Sequence, residues 1–200
     1  MVAVASPQPP RGDLPWAGLA AALRARTRTL HDRAERAGVI AELLRGRIRP
    51  SAYLLLSGNL LPVYRALEDG LRRHARDPIV APFARPELLR AEALARDVAV
   101  LAGRPATGAV PVLAAGRRYV ERIEQVAPAS PELLIAHAYV RQLGDLSGGQ
   151  IVRRLLLRAP GIGPDAVRAY EFPDLPDLDR ARSDYRAALD RAGMRLADWT

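Results

Sequence analysis

The 200-residue sequence contains no cysteine, no lysine and only three histidines. Without cysteine it has no disulfides, no thiolate metal ligands and no cysteine nucleophile. Long apolar runs are also missing, because the mean hydropathy is −0.07 and no stretch approaches the length needed to span a bilayer. The N-terminus lacks the basic and apolar regions of a signal peptide. These absences predict a cytoplasmic protein without a membrane segment.

The charge is strongly one-sided, because 30 arginines oppose 22 acidic residues and give a net charge of +8. Such an excess suits nucleic acid, an anionic surface or an anionic small molecule. The arginines are scattered over helix faces, with no aromatic-bearing strand or compact basic arm beside them. We therefore expect no nucleic-acid partner, although a basic helical nucleic-acid binder would explain the charge alone.

Apolar residues recur at helical spacing along nearly the whole chain, and no strand-like alternation persists. The pattern predicts an all-α, multi-helix single domain at 15–200, after a disordered proline-rich leader at 1–14. Ser51 is expected to cap the third helix, and Pro62 to kink it. The predicted helices cover about 16–37, 39–44, 51–75, 86–103, 109–126, 130–159 and 178–192.

The segment "LGDLSGGQ" at 143–150 interrupts the sixth predicted helix with three glycines. Each glycine in a helix interior costs roughly 0.5–1 kcal/mol relative to alanine. Two explanations follow from the residues alone. The glycines allow a close crossing with another helix, or they let a flat, bulky ligand lie against the backbone. The sequence pattern leaves both open.

His31 lies at the border of the apolar stripe on the first helix. Arg24 and Arg28 share its side of the helix, and Glu35 follows one turn later, where it can orient the ring or pair with a neighbouring arginine. A structural histidine and a metal ligand are both compatible with this pattern. Together with the glycine segment, the imidazole and the arginines suit a flat ligand with a central metal and carboxylates at its edge, which describes haem.

The other two histidines are not expected to be the metal ligand, and His137 is expected to have a structural or outer-shell role. His74 lies among arginines at a helix end, which is typical of a solvated surface residue. His137 precedes Gly144 by about 10 Å of helical rise, so it lies too far away to reach a ligand that contacts Gly144.

The stretch "AHAYVRQLGDLSGGQIVRRLLLRA" at 136–159 resembles the signature of the haem oxygenases nearly position for position. Three further segments are similar to the same family, and the resemblance covers about residues 16–195. They are "LRARTRTLHDRAERA" (23–37), "YRALEDGL" (64–71) and "EFPDLPDLDRARSDYRAALD" (171–190).

The resemblance implies an oxidoreductase in which haem is both cofactor and substrate. Haem is opened with O2 and electrons from an external donor, giving biliverdin, CO and Fe2+. The implied fold holds haem between an N-terminal proximal helix and a kinked, glycine-rich distal helix. The implied partners are a reductase or ferredoxin-type donor and, as product acceptor, a bilin-binding photoreceptor, with the protein itself a monomer.

The resemblance also implies roles for individual residues. On the proximal side His31 is the axial ligand of the haem iron, with Glu35 as its structural neighbour. The residues near the propionates are Arg24, Arg28, Tyr139, Arg182 and Arg186. On the distal side Gly144 and Gly148 line the haem face. Asp145 holds a network of waters, supported by Arg141 and Tyr64.

Two departures from the family pattern bear on function. Relatives continue past the Tyr-Arg helix into one more helix, whereas this sequence ends at "MRLADWT", which predicts a more open pocket. Gln142 stands where many relatives carry tyrosine, and the expected effect is mild. The alternative function is a non-catalytic haem carrier or sensor, which would give Asp145 little purpose.

Overall fold

The structure is a computed structural model that describes residues 18–103 and 110–197. All regular elements in these residues are helical, as the periodicity predicts. The helices are α1 (Leu19–Glu35), α2 (Gly38–Leu44), α3 (Pro50–Arg73), α4 (Ala91–Ala102), α5 (Ala114–Ala129), α6 (Leu134–Ala138), α7 (Gly144–Ser147), α8 (Gly149–Leu156) and α9 (Leu178–Ala197). A π-helical segment, Tyr139–Leu143, joins α6 to α7. The predicted leader at 1–14 lies outside the described residues.

The central helix α3 packs against α4, α5 and α6, and α9 packs against α1 and α7. The main core collects apolar residues from α3, α5, α6 and α9, and it includes the fully buried Leu71, Phe83, Ile123, Leu134 and Leu189. Within the described ranges, no helix combines the length and the hydropathy needed to cross a membrane.

Several helix boundaries differ from the sequence prediction. α1 ends at Glu35, before the predicted end at about 37, and Gly38 begins α2. Ser51 is not the cap of α3, because Pro50 is the first helical residue and its fixed φ suits that position. α3 continues as a single helix through Pro62.

α5 begins at Ala114, later than predicted, because Asn59 holds the preceding residues in a non-helical path. The Asn59 amide donates to the Pro111 carbonyl at 3.1 Å, and its Oδ1 accepts from the Leu113 N–H at 2.7 Å. α4 likewise begins later than predicted. The buried Glu68 carboxylate accepts the N–H groups of Arg90 and Ala91, which fixes the start of α4 against α3.

A second buried carboxylate, Asp97 on α4, holds the segment that follows α8. Its Oδ1 accepts the Arg168 N–H at 2.9 Å, and its Oδ2 accepts the Ala169 N–H at 2.8 Å. The side chain is inaccessible to solvent. Because backbone N–H groups away from water need an acceptor, Asp97 fixes the turn Arg168–Tyr170 against the helical core.

Replacing Asp97 with alanine should destabilise the protein through this pair of N–H groups. Each unsatisfied buried donor costs about 1–3 kcal/mol, so Asp97→Ala should lower the free energy of unfolding by about 3 kcal/mol. The measurement is urea unfolding at neutral pH. Asp165→Ala is the matched control, because it removes only an exposed ion pair with Arg168 and should cost less than about 1 kcal/mol. Equal losses would contradict the assignment.

Candidate functional site

The glycine-rich helix is broken where the sequence predicts, and the break has a specific geometry. The π segment Tyr139–Leu143 precedes Gly144, and a turn at Gly148 separates α7 from α8. Gln142 on the π segment is buried; its amide donates to the Phe83 carbonyl at 2.9 Å, and its Oε1 accepts from the Tyr185 hydroxyl at 3.0 Å. π-Helical segments within α-helices occur frequently at functional sites.

Gly144 and Gly148 form an uncovered patch of helix backbone. Both are exposed and have ordinary helical dihedrals. A Cβ built on Gly144 would meet nothing within 4 Å, and one on Gly148 would meet only the carbonyl of Gly144, at 3.7 Å. Among the described residues no helix crosses here, which removes the close-crossing explanation. Val140 and Ile151, four residues before and seven after Gly144, are 43% and 50% exposed.

Asp145 lies about 100° around the axis of the distal helix (α7 and α8) from Gly144, and its side chain is held in a polar interior. The Tyr64 hydroxyl donates to Asp145 Oδ2 at 2.6 Å. Burial raises the pKa of Asp145 to about 6, although the Tyr64 hydrogen bond and the nearby Arg141 charge lower it. Arg141 Nε and Ser147 Oγ are buried without a hydrogen-bond partner among the described residues. Orphaned polar atoms in such a place are suited to bridging waters.

α1 supplies a second uncovered face. It has no buried residue, and it is fixed at its start by the Ala20 N–H donating to Asp190 Oδ1 of α9 at 2.9 Å. The His31 side chain is 69% exposed, and its Nδ1 lies 3.6 Å from Glu35 Oε1. That distance is too long for a hydrogen bond, yet it places a carboxylate beside one ring nitrogen and leaves Nε2 for a ligand. Leu30 next to it is 63% exposed.

The structure therefore offers an exposed imidazole on α1 and, on the distal helix, a bare backbone with a carboxylate held beside it. The model of the family described as "Heme oxygenase" matches residues 17–198 of this chain. The chain belongs to the heme oxygenase family. Heme oxygenase 1 of Synechocystis is 38% identical over 172 residues, which are 86% of this chain and 72% of that protein. Heme oxygenase 1 of the rat is 34% identical over 180 residues, which are 88% of this chain and 62% of that protein.

Solved structures of the family have the same fold. The crystal structure of heme oxygenase-1 from Synechocystis in complex with heme superposes with a TM-score of 0.81 at 38% identity, covering 86% of this chain and 78% of that one. The heme oxygenase of Leptospira interrogans gives a TM-score of 0.79 at 34% identity, covering 86% and 85% respectively. The predicted all-α haem oxygenase fold is thereby confirmed.

The arginines that the family resemblance places near the propionates differ in their contacts. Arg24, Arg28 and Arg186 are exposed and form no ion pair with other described residues. Arg182 is engaged instead: it donates to the Leu146 carbonyl of α7 at 2.7 Å and pairs with Asp179. Arg182 therefore ties α9 to the distal helix, a role that residue spacing did not indicate.

Three further residues have positions that bear on their predicted roles. Tyr139, predicted near a propionate, begins the π segment and packs partly buried against the main core. His137 packs against Tyr119 with 5.5 Å between ring centroids and the rings tilted by 46°, which fits a structural role. Gln142, which stands where many relatives carry tyrosine, was expected to have a mild effect. Both the nitrogen and the oxygen of its amide form buried hydrogen bonds.

The two glycine environments on the distal helix predict opposite effects of an added methyl group. Gly144→Ala should stabilise the ligand-free protein by about 0.5–1 kcal/mol, because alanine favours the helix and nothing obstructs its Cβ. Gly149→Ala is the control: its Cβ would lie 2.9 Å from Cδ1 of Tyr170, so it should lower stability by about 1 kcal/mol or more. Thermal and urea unfolding measure both. Destabilisation by Gly144→Ala would restore the helix-crossing explanation.

The raised pKa of Asp145 predicts a pH-dependent stability. Between about pH 4 and 6 the folded protein holds a proton on Asp145 that the unfolded chain has released, so this group favours folding less as pH rises through 6. From pH 7 to pH 5 wild type should gain about 1 kcal/mol from this group, and Asp145→Asn should lack that gain. Urea unfolding of both proteins at the two pH values measures the difference. Parallel pH profiles would contradict the shift.

Proposed function

We propose that this chain binds haem between α1 and the distal helix and opens it oxidatively to biliverdin, CO and Fe2+. O2 and electrons from an external donor are consumed in the reaction. The chain's membership of the heme oxygenase family makes it an oxidoreductase. The observation that carries the proposal for the site is the uncovered backbone of Gly144 and Gly148, directly beside the held carboxylate of Asp145.

The residues present fit haem. Apolar Leu30, Val140 and Ile151 are exposed on the helices that flank the site. They would contact the apolar faces of a porphyrin ring. Removing apolar surface of these side chains from water would contribute roughly 25 cal/mol to the binding free energy for each Å² buried. The bare glycine backbone lets a planar ring approach the distal helix closely. Bound haem supplies the iron at which O2 is reduced and the ring that is cut.

On the proximal side, His31 would hold the iron through the ring nitrogen that faces away from Glu35. The Glu35 carboxylate, 3.6 Å from Nδ1, favours a proton on that nitrogen and so orients the neutral imidazole. Asp32 lies in the same group, with its carboxylate within 4.8 Å of the other two ligand atoms. A neutral histidine, unlike a thiolate, does not push electron density towards O–O cleavage.

On the distal side, Asp145 would hold waters rather than contact haem itself. Tyr64 fixes the carboxylate by hydrogen bonding, and Arg141 stabilises its charged form. A carboxyl with a pKa of about 6 exchanges protons readily near neutral pH, as a general acid acting through water requires.

At the haem edge, exposed Arg24, Arg28 and Arg186 would pair with the propionates. Tyr139 would contribute its hydroxyl to one of them. Arg182 would reach a propionate only by giving up its bond to the Leu146 carbonyl, so we assign it first to positioning the distal helix. The rotation of haem in its plane, and hence the ring carbon attacked, follows from these contacts.

The exposed arginines also suit an acidic electron donor, since complementary charge speeds encounter between proteins. A ferredoxin or flavoprotein reductase is the proposed donor class, and a bilin-binding photoreceptor is the proposed acceptor of biliverdin. We propose that the protein acts as a monomer in the cytoplasm.

A single-turnover assay tests the proposed function. Haemin is titrated into the purified protein, and ascorbate or a reductase system is then added in air while the Soret band and the far-red region are followed. Stoichiometric binding, followed by loss of the Soret band and appearance of biliverdin, is the expected result. Binding with a persistent Soret band would identify a haem carrier or sensor, and no Soret band would exclude a haem protein.

Replacing His31 with alanine should change the Soret spectrum and abolish biliverdin formation, because the imidazole that would hold the iron is removed. Added imidazole should restore part of the activity by entering the vacated position. His74→Ala is the matched control, since His74 follows the end of α3, and it should behave as wild type. An unchanged spectrum in His31→Ala would remove His31 from the iron.

A further inference from the structure

Tyr170 packs directly beneath the distal helix, next to Asp145. The bare α-carbon of Gly149 brings them together: a Cβ built there would lie 2.9 Å from Cδ1 of Tyr170 and 3.6 Å from Cβ of Asp145. Asp145 and Gly149 are one helical turn apart, so they share a side of the helix. The Tyr170 ring therefore covers the same inner side on which Asp145 is held.

Tyr170 is fixed in this position from two directions. The Gln150 amide of α8 donates to the Tyr170 carbonyl at 2.9 Å. Asp97 accepts the N–H groups of the two preceding residues, Arg168 and Ala169. A side chain whose backbone is held on both sides keeps its ring in place without relying on the haem.

Two further hydroxyl groups, those of Tyr53 and Ser57, lie near the Tyr170 hydroxyl in the interior. Burial raises the pKa of Tyr170 well above its usual value, and the neighbouring Tyr53 and Asp145 add to the shift. The Tyr53 hydroxyl lies near those of Ser57 and Tyr170, yet it is buried without hydrogen-bond geometry to any described residue. Tyr53 is 1% exposed. A buried hydroxyl with no direct partner calls for a bridging water.

On its other side Tyr170 meets solvent. An open groove with a volume of about 360 Å³ runs beside α8, and Tyr170 lines it together with Gln150, Arg153, Glu171, Phe172 and Pro173. Arg153 and Glu171 form an ion pair at this groove. The groove therefore brings solvent to the segment that carries Tyr170, while the phenol itself stays buried.

We propose that Tyr170 is a positioning residue that holds a proton relay to Asp145, made of its own hydroxyl, those of Tyr53 and Ser57 and the waters between them. The inference rests on the proposed function, because it supplies protons to the same carboxylate. Each proton taken from a solvent acid onto the chain is matched by one passed on towards Asp145. The phenols carry no net charge in the process, as expected for hydroxyls this deeply buried.

Tyr170→Phe tests the inference, because it keeps the ring against Gly149 and removes only the hydroxyl. Haem affinity and thermal stability should stay close to wild type, while single-turnover biliverdin formation slows roughly tenfold and its solvent deuterium isotope effect increases. A readout without turnover is the pH at which the visible spectrum of the resting haem complex changes. That midpoint should move upward, since a donor to the distal waters is lost. Tyr53→Phe should act in the same direction.

The outcomes separate this inference from the proposed function. If wild type binds haem but forms no biliverdin, the proposed function fails whatever Tyr170 does. If wild type turns over and both phenylalanine variants keep its rate, isotope effect and spectral midpoint, the hydroxyl chain is overturned and the proposed function stands. A slower rate with unchanged isotope effect and midpoint would assign Tyr170 a packing role alone and also overturn the inference.

Discussion

The hydrogen bond from the Tyr64 hydroxyl to Asp145, 2.6 Å long, fixes how the distal helix is rotated. With Asp145 held against α3, Gly144 and Gly148 are on the outward side and Gly149 is on the inner side against Tyr170. One rotation of the helix thus creates a bare face for a planar ligand and a polar interior behind it. A turn of the helix by one residue would exchange these environments and bury the bare patch.

Helix α9 holds both halves of the site with three side chains. Asp190 accepts the N–H of Ala20 at the start of α1. Tyr185 donates to Gln142 in the π segment, and Arg182 donates to the Leu146 carbonyl of α7. The proximal and distal helices are therefore positioned by a common support. A common support of this kind keeps two groups at a fixed separation, and catalysis by positioning depends on such a fixed geometry.

The sequence was sufficient for the helical class, the break at "LGDLSGG" and the placement of Glu35 one helical turn after His31. Those features depend on local periodicity, on glycine's low helix propensity and on helical spacing. Contacts between segments that are distant in the chain could not be predicted from the sequence. The start of α4 depends on Glu68, and the two roles of Gln142 depend on Phe83 and Tyr185, none of which is adjacent in sequence.

The glycines illustrate the same limit. Their composition left a helix crossing and a flat ligand equally open, and only the three-dimensional surroundings distinguish them. Gly144 has no neighbour within 4 Å of a Cβ, whereas Gly149 is packed against a tyrosine ring. Tyr170 lies in the segment "AYEFP", and nothing in its local sequence indicates that its ring packs against Gly149.

The central claim is that haem is held in one orientation between His31 and the glycine face, and is opened there. Chromatographic identification of the biliverdin isomers from a single turnover tests it most directly. Haem fixed by its axial ligand and the exposed arginines should yield one dominant isomer. A mixture with cleavage at every meso position would mean that haem is oxidised without being held by this site, and it would contradict the account.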